Sequence, residues 1–279
     1  MELGIFAKTF SGSDPDTVLA AVANAGFRIT QYNMGCSGLD PLPDVIPENA
    51  TTAVRAASAA SGVGIAAVSG TFNMIHPDPA VRADGLRRLA ALIAAAPKMG
   101  TRLVTLCTGT RDPADPWRAH QDNGTAEAWC DLVASMAKAV SAADASDVYL
   151  GIEPELANVV SSATAARRLI DELASPRLRI VIDAANLFET GTVAEQRNIV
   201  SRAVDLLADR IVMAHAKDRA ADGAFVAAGK GVLDYPHYLA TLRRAGFDGP
   251  LVTHGLTAGE APEVGAFLRR ILARVESQA

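Results

Sequence analysis

Four side chains that can bind metal ions or move protons recur through the second half of the chain. Glu153, Asp183, His215 and His254 each stand at the end of a short apolar run, and roughly 30 to 40 residues separate each from the next, about the length of one βα unit. Two carboxylates and two imidazoles that converge on one point can hold a divalent metal ion. The carboxylates favour Mn²⁺ or Mg²⁺, and the imidazoles shift the preference toward Mn²⁺, Co²⁺, Fe²⁺ or Zn²⁺.

Convergence of these four residues requires strands that end at a common edge. The chain alternates short apolar runs with stretches of helical period. The eight predicted strands are "LGIFAKTF", "RITQYNM", "GIAAVSGTF", "RLVTLCTG", "VYLGIEPE", "RIVIDAANLF", "RIVMAHAKD" and "PLVTHGL". Strict alternation predicts parallel strands with right-handed crossovers, and eight units suit an α/β fold of the (β/α)8 TIM-barrel type. We expect one domain over residues 1–279, because no linker or low-complexity segment divides the chain.

A doubly wound open sheet is the alternative architecture. It usually has a glycine-rich first turn for phosphate, and the first turn here, "KTFSGSDPD", has no GxGxxG. The residues that start and end helices are spaced along the chain as eight βα units require. The segments "SGSDPD" and "HPDP" offer Asp and Pro at helix starts. Four glycines are predicted to end helices in the left-handed conformation: Gly26, Gly62, Gly100 and Gly246.

Several longer segments carry a family resemblance. They are "GIEPE", "VIDAANLF" and "AHAKD", followed by "AAGKGVLDYPHYLATLRRAGFDGPLVTHGL". Together the chain resembles the xylose isomerase-like TIM barrels of the sugar phosphate isomerase/epimerase superfamily. That group includes ketose 3-epimerases, hydroxypyruvate isomerase, inosose dehydratase and endonuclease IV. The resemblance implies that Glu153 is a metal-bound glutamate that also moves protons, and that Asp183 and His215 are further ligands.

Two positions depart from that pattern. Asn186 stands where the epimerases carry a substrate-binding histidine, and His254 stands where they carry a second glutamate that is both ligand and acid/base. His254 could bind the metal through one nitrogen or act as an acid/base near neutral pH. Because His254 stands in place of the second glutamate, epimerisation by two glutamates becomes a less favoured mechanism, and isomerisation and elimination become more favoured.

Other side chains are candidates for substrate contact. Glu155 follows the fifth strand, and Lys217 follows the seventh and could contact a carboxylate or phosphate. Lys230 could do the same, although a salt bridge or a solvated side chain is the alternative for both lysines. Trp117 and Arg111 lie in a long loop after the fourth strand, where they could form part of a lid.

These features predict a divalent-metal-dependent isomerase or epimerase of a sugar or sugar phosphate, acting on a keto-sugar or polyol-like substrate. Glu153 would remove a proton next to a carbonyl to give a metal-stabilised enediolate, with His254 or Glu155 as its counterpart. A dehydratase or lyase shares the same first step and is the second hypothesis. A non-catalytic sugar-binding barrel with a decayed metal site is the third.

Composition argues against other classes. The net charge is −5 and no basic run occurs, so we expect no nucleic-acid partner. The segments "VSGTFNM" and "VTLCTGT" lack the extra histidines of the endonuclease branch. The apolar runs are too short for a membrane span, and "MELGIFAKTF" lacks a signal-peptide pattern.

Three cysteines without CxxC spacing favour a reduced, cytoplasmic protein. Dimers and tetramers are common in the resembling group, which leaves a homo-oligomer open.

Overall fold

Eight parallel strands close on themselves in the computed structural model, which describes residues 1–277. The first strand, β1 (Glu2–Phe6), pairs with β2 (Ile29–Tyr32) on one side and with β10 (Pro250–Thr253) on the other. The sheet therefore has no free edge. The predicted domain limit, residue 279, lies outside the described residues.

The other strands follow the predicted order around the barrel. The remaining barrel strands are β3 (Gly64–Ser69), β4 (Leu103–Leu106), β5 (Tyr149–Ile152), β6 (Leu178–Asp183) and β7 (Ile211–Ala216). A short antiparallel hairpin follows β7, and its strands are β8 (Asp218–Arg219) and β9 (Phe225–Val226). This hairpin was not predicted from the sequence.

Eight helices accompany the barrel strands within residues 1–277. They are α1 (Pro15–Asn24), α2 (Glu48–Ser61), α3 (Pro79–Met99), α4 (Ala126–Ser146), α5 (Ala163–Leu173), α6 (Val193–Leu207), α7 (Tyr235–Arg244) and α8 (Ala261–Glu276). The predicted (β/α)8 barrel is confirmed. No helix in this part of the chain is both long enough and apolar enough to cross a membrane.

The predicted helix boundaries are also found. Asp14 accepts a hydrogen bond from Thr17 N at 2.9 Å, and Asp78 accepts one from Ala80 N at 2.8 Å, so each carboxylate caps a helix that begins with proline. The four glycines predicted at helix ends all have positive φ: Gly26, Gly62, Gly100 and Gly246.

Apolar side chains fill two layers. A large cluster packs between the strands and the surrounding helices. A smaller cluster fills the barrel interior with Ala67, Leu103, Val181, Met213 and Val252. The barrel is therefore a packed core and not a pore, and a binding site has to lie at one of its ends.

The carboxyl end of β7 is fixed by two buried tyrosines of α7. The Tyr238 hydroxyl lies 3.0 Å from Ile182 O and 3.2 Å from His215 O, and the Tyr235 hydroxyl donates to Lys217 O at 3.0 Å. These contacts connect a surface helix to the backbone of β6 and β7. They hold that backbone where its side chains meet the barrel mouth.

Candidate metal and substrate site

The four predicted donor residues meet at the carboxyl end of the barrel. Asp183 is the last residue of β6 and His215 lies near the end of β7, while Glu153 and His254 directly follow β5 and β10. One carboxylate oxygen or ring nitrogen from each residue lies within 4.8 Å of all the others. We call these four residues the donor cluster.

Two close pairs make up the donor cluster. His215 Nδ1 lies 3.1 Å from Glu153 Oε1, and His254 Nε2 lies 3.1 Å from Asp183 Oδ2. The two imidazole rings are neighbours, with centroids 4.5 Å apart. Each imidazole therefore faces one carboxylate, and all four polar groups point at the same small volume.

Burial and charge act in opposite directions on these groups. Burial alone would raise the pKa of the Asp183 carboxyl, but Lys217 and His254 outweigh it and hold that pKa below its usual range. His215 does the same for Glu153, and Glu153 in turn raises the pKa of the His215 ring against the effect of burial. Burial and the neighbouring His215 lower the pKa of His254. Both carboxylates are thus anionic at neutral pH.

A glutamine from the opposite side of the barrel orients His215. Gln31 Oε1 lies 2.8 Å from His215 Nε2, and Gln31 Nε2 donates to Thr105 Oγ1 at 3.1 Å. An amide oxygen only accepts hydrogen bonds, so His215 Nε2 carries the hydrogen. In the neutral ring, the lone pair of His215 is therefore on Nδ1 and faces the donor cluster.

This arrangement fits a divalent metal ion. The donor set combines two anionic oxygens and two ring nitrogens, and metal-binding histidines usually donate their second N–H to a fixed acceptor, as His215 does to Gln31. Glu153, Asp183, His215 and His254 would hold the ion.

A second set of polar groups surrounds the donor cluster. Asn186 Nδ2 donates to Glu153 Oε1 at 2.7 Å, and Lys217 Nζ donates to Asn186 Oδ1 at 2.8 Å and lies 3.4 Å from Asp183 Oδ2. The Glu155 carboxylate has no hydrogen-bond partner within residues 1–277, and burial together with Glu153 raises its pKa to about 8.

A cavity of about 820 Å³ opens above the donor cluster. That volume lies within the range of about 300 to 1,000 Å³ that is common for small-molecule sites. Glu153, His215 and His254 line it, as do the predicted contact residues Asn186, Glu155 and Lys217. Trp117 also lines the cavity and is 55% exposed, so this loop residue lies at the cavity mouth.

Arg111 lies elsewhere, which corrects its predicted place in a lid. Its guanidinium lies 2.7 Å from Asp131 of α4 and donates to Ile75 O at 3.2 Å, and the residue does not line the cavity. The carboxylate of Asp131 draws the side chain away from the mouth. Lys230 likewise lies outside the cavity lining, where it forms an ion pair with Glu263 of α8.

Further residues line the cavity that were not predicted from the sequence, among them Lys8, Gln31, Arg219 and Phe225. Gln31 carried a detectable signal, because a polar residue in the buried run "RITQYNM" needs a partner. Arg219 and Phe225 depend on the unpredicted hairpin. Asp218 organises that segment by accepting hydrogen bonds from backbone N–H groups of Arg219, Gly229, Gly231 and Leu233.

Several solved structures of sugar epimerases have a similar fold. The structure resembles L-ribulose 3-epimerase, with a TM-score of 0.77, 21% identity, and coverage of 99% of this chain and 96% of the other. It also resembles 3-keto-D-glucoside 4-epimerase from E. coli, with a TM-score of 0.72, 17% identity and 99% coverage of both chains. D-allulose 3-epimerase from Methylomonas sp. in complex with D-allulose gives a TM-score of 0.73 at 16% identity, covering 97% of this chain and 96% of the other.

A search against curated protein sequences found no significant match. The profile of the family described as xylose isomerase-like TIM barrel matches residues 19–270, which is most of the chain. The closed eight-strand barrel agrees with that match and with the resemblance expected from the sequence. The chain therefore belongs to the xylose isomerase-like TIM-barrel family.

Proposed function

We propose that the protein is a divalent-metal-dependent isomerase or epimerase of a keto-sugar or a related polyol-like substrate. The observation that carries this proposal is the donor cluster, whose four ligand atoms lie within 4.8 Å of one another beneath a cavity large enough for a sugar. The structurally similar proteins named above are sugar epimerases, which supports a carbohydrate substrate.

A divalent ion in the donor cluster would polarise a sugar carbonyl and offset the negative charge that develops on its oxygen. Mn²⁺ is our first choice of metal, because the donors are a mixture of oxygen and nitrogen atoms. The protein residues would handle the proton. Glu153 is the candidate base, because its Oε1 is held by Asn186 and its pKa stays below the usual range. It is therefore ready to accept a proton from the carbon next to the carbonyl.

A second group must return or supply a proton. His254 and Glu155 are the candidates, because both line the cavity. His254 is already bonded to Asp183 through Nε2, whereas the Glu155 carboxyl group has no hydrogen-bond partner among residues 1–277. Asn186 and Lys217 would bind substrate hydroxyl or carbonyl oxygens from the side of β6 and β7.

Elimination is the second candidate reaction, and His254 is the observation that favours it. Epimerisation by two carboxylates needs a second glutamate at this position, and an imidazole stands there instead. An acid that protonates a departing hydroxyl or alkoxyl group would convert the same proton abstraction into a dehydratase or lyase reaction.

The test combines metal analysis with proton exchange. Native protein, Glu153→Gln and His254→Ala are analysed by mass spectrometry for bound metal, with the exposed Glu127→Gln of α4 as the matched control. We expect about one divalent ion per chain in the native protein and in the control, and less in both site variants. Each protein is then incubated in deuterated water with D-fructose, D-tagatose, D-allulose or L-ribulose.

Deuterium that enters the recovered ketose or its epimer through the native protein, and not through Glu153→Gln, supports the isomerase or epimerase reaction. Loss of water or alcohol from the substrate would support the lyase. Failure to bind Mn²⁺, Co²⁺ or Zn²⁺ at all would contradict both and favour a non-catalytic sugar-binding barrel.

A further inference from the structure

Two buried cations lie on the segment that follows β7. Lys217 is 8% exposed and Arg219 is 7% exposed, and no other lysine or arginine within residues 1–277 is as deeply buried. Lys217 has a carboxylate partner in Asp183 and a second acceptor in Asn186. Arg219 has no carboxylate within 4 Å among the described residues, and this difference needs a physical explanation.

The Arg219 guanidinium is held firmly by neutral groups. Its Nε donates to Ala185 O at 2.6 Å, and its Nη1 donates to Gly223 O within the hairpin. The ring of Phe225 lies 3.9 Å from the guanidinium carbon, which fixes the plane of the group. Nη2 has no acceptor in the described part of the chain, and Arg219 lines the cavity. The side chain is therefore preorganised, with donor capacity left over.

No carboxylate within ion-pair distance balances the positive charge of Arg219 among residues 1–277. Burial lowers the pKa of the guanidinium, and Glu189 and Asp183 attract it only from beyond ion-pair distance. Buried charges in proteins are normally paired, because an unpaired one loses its hydration without replacement. Backbone carbonyls and a sugar hydroxyl can accept hydrogen bonds from it, but they do not neutralise it.

The position of Arg219 connects it to the donor cluster. Ala185, which accepts from Arg219, precedes Asn186, and Asn186 donates to Glu153. Lys8 approaches the same cavity from the end of β1. A substrate whose carbonyl lies at the donor cluster would thus have cationic groups beside it on the β7 side and on the β1 side.

We propose that Arg219 binds an anionic group of the substrate, either a carboxylate or a phosphate, so that the protein acts on an acidic keto-sugar. Guanidinium groups bind both anions through paired N–H donors, and such bonds to charged groups are stronger than bonds to neutral ones. The sugar part of this assignment rests on the proposed function. The anion contact rests on Arg219 alone.

The test measures binding and not turnover. Metal-loaded wild-type protein is titrated calorimetrically with D-fructose, D-fructose 6-phosphate and D-fructuronate, which separates phosphate from carboxylate. The variants are Arg219→Met, which keeps the bulk and removes the charge, and Arg219→Lys, which keeps the charge. Arg202→Met removes an exposed arginine of α6 and is the matched control for net charge. Circular dichroism verifies that each variant is folded.

We expect at least one acidic ketose to bind wild type and Arg202→Met at least about tenfold more tightly than D-fructose. Arg219→Met should lose that preference while its affinity for D-fructose stays within about twofold, and Arg219→Lys should keep part of it. The proposal is overturned if no acidic ketose binds wild type more tightly than D-fructose. It is also overturned if Arg219→Met weakens neutral and acidic ligands by the same factor.

The anion contact of Arg219 can be tested independently of the proposed reaction. The same titrations are run on Glu153→Gln at saturating Mn²⁺, because this variant removes the candidate base and one proposed metal donor but leaves Arg219 in place. A preference for the acidic ketose that persists in Glu153→Gln supports the anion contact even if no proton exchange is ever detected. Proton exchange with neutral ketoses but no acidic preference would support the reaction and refute the anion contact.

Discussion

Gln31 and His215 are 184 residues apart in the sequence, and a 2.8 Å hydrogen bond joins Gln31 Oε1 to His215 Nε2 across the barrel mouth. The bond connects β2 to β7, which are not neighbours in the sheet. The other end of the same amide donates from Gln31 Nε2 to Thr105 Oγ1 at 3.1 Å, so both ends of the glutamine side chain are bonded. The ring of His215 is therefore aimed before any ligand arrives.

Replacement of Gln31 by leucine should weaken metal binding. Leucine keeps the approximate volume and removes the acceptor, so the His215 ring loses both its orientation and its preferred tautomer. We expect Mn²⁺ to bind about 10- to 100-fold more weakly by calorimetry. Gln196→Leu, in α6 and away from the site, is the matched control. Equal affinities in Gln31→Leu and wild type would show that His215 needs no orienting partner.

Replacement of Asp183 by asparagine should destabilise the metal-free protein. Asparagine can still accept from Ala185 N but leaves the buried Lys217 ammonium without its anion. Loss of one partner from a buried pair costs about 3 to 5 kcal/mol. Unfolding in guanidinium chloride measures the change. Asp131→Asn, which breaks the more exposed contacts with Arg82 and Arg111, should cost only about 1 kcal/mol. Equal losses in the two variants would contradict this account.

Removal of the Tyr238 hydroxyl should affect stability and the site together. Tyr238→Phe leaves Ile182 O and His215 O without their shared donor, which should cost about 1 to 3 kcal/mol. The end of β7 should also become less fixed, so Mn²⁺ affinity should fall. Tyr32→Phe removes another buried tyrosine's hydroxyl, whose partner is Ser37, and should reduce stability without changing Mn²⁺ affinity. Parallel effects of both variants on metal binding would exclude a specific role for Tyr238.

The loop that carries Trp117 should loosen in acid. Hydrogen bonds from Arg118 and from the backbone N–H groups of Ala114 and Asp115 hold the pKa of Asp112 well below its usual range. A depressed pKa in the folded state stabilises the loop above the unfolded pKa, which is about 3.9, and this contribution is lost as pH falls through the lower folded value.

Fluorescence of Trp117 between pH 5 and pH 1 measures this transition, with Trp117→Phe to assign the signal. Asp112→Asn should show the loosened signal at pH 5 and little further change on acidification. A wild-type transition that Asp112→Asn leaves intact would point to another carboxylate.

The sequence was sufficient to predict the fold and to select the four residues of the donor cluster. Alternating apolar runs and helical stretches repeat eight times, and each period predicts its own element without reference to the others. Glu153, Asp183, His215 and His254 could be selected because each ends an apolar run, where a polar residue is conspicuous. Parallel strands in a barrel end at one mouth, so their convergence follows from topology.

Residues whose role depends on tertiary contacts could not be predicted in this way. Arg111 and Trp117 lie in the same loop, but the Arg111 side chain packs inward against Asp131 of α4, whereas Trp117 borders the cavity. Arg219 is visible in the sequence as one more arginine. Its significance depends on the absence of a nearby carboxylate and on the hairpin that buries it.

The donor cluster comes entirely from the second half of the barrel. Residues 153 to 254 provide all four donors, whereas the first four strands and their loops contribute only to the cavity wall, with residues such as Lys8, Gln31 and Trp117. The metal donors and a large part of the cavity wall are therefore encoded in different halves of the chain. Recombination or insertion in the loops of the first half can reshape the cavity wall while the donors of the second half are inherited unchanged. Gln31 is the exception, and a transplanted first half would have to bring a glutamine, or an equivalent acceptor, to the same place.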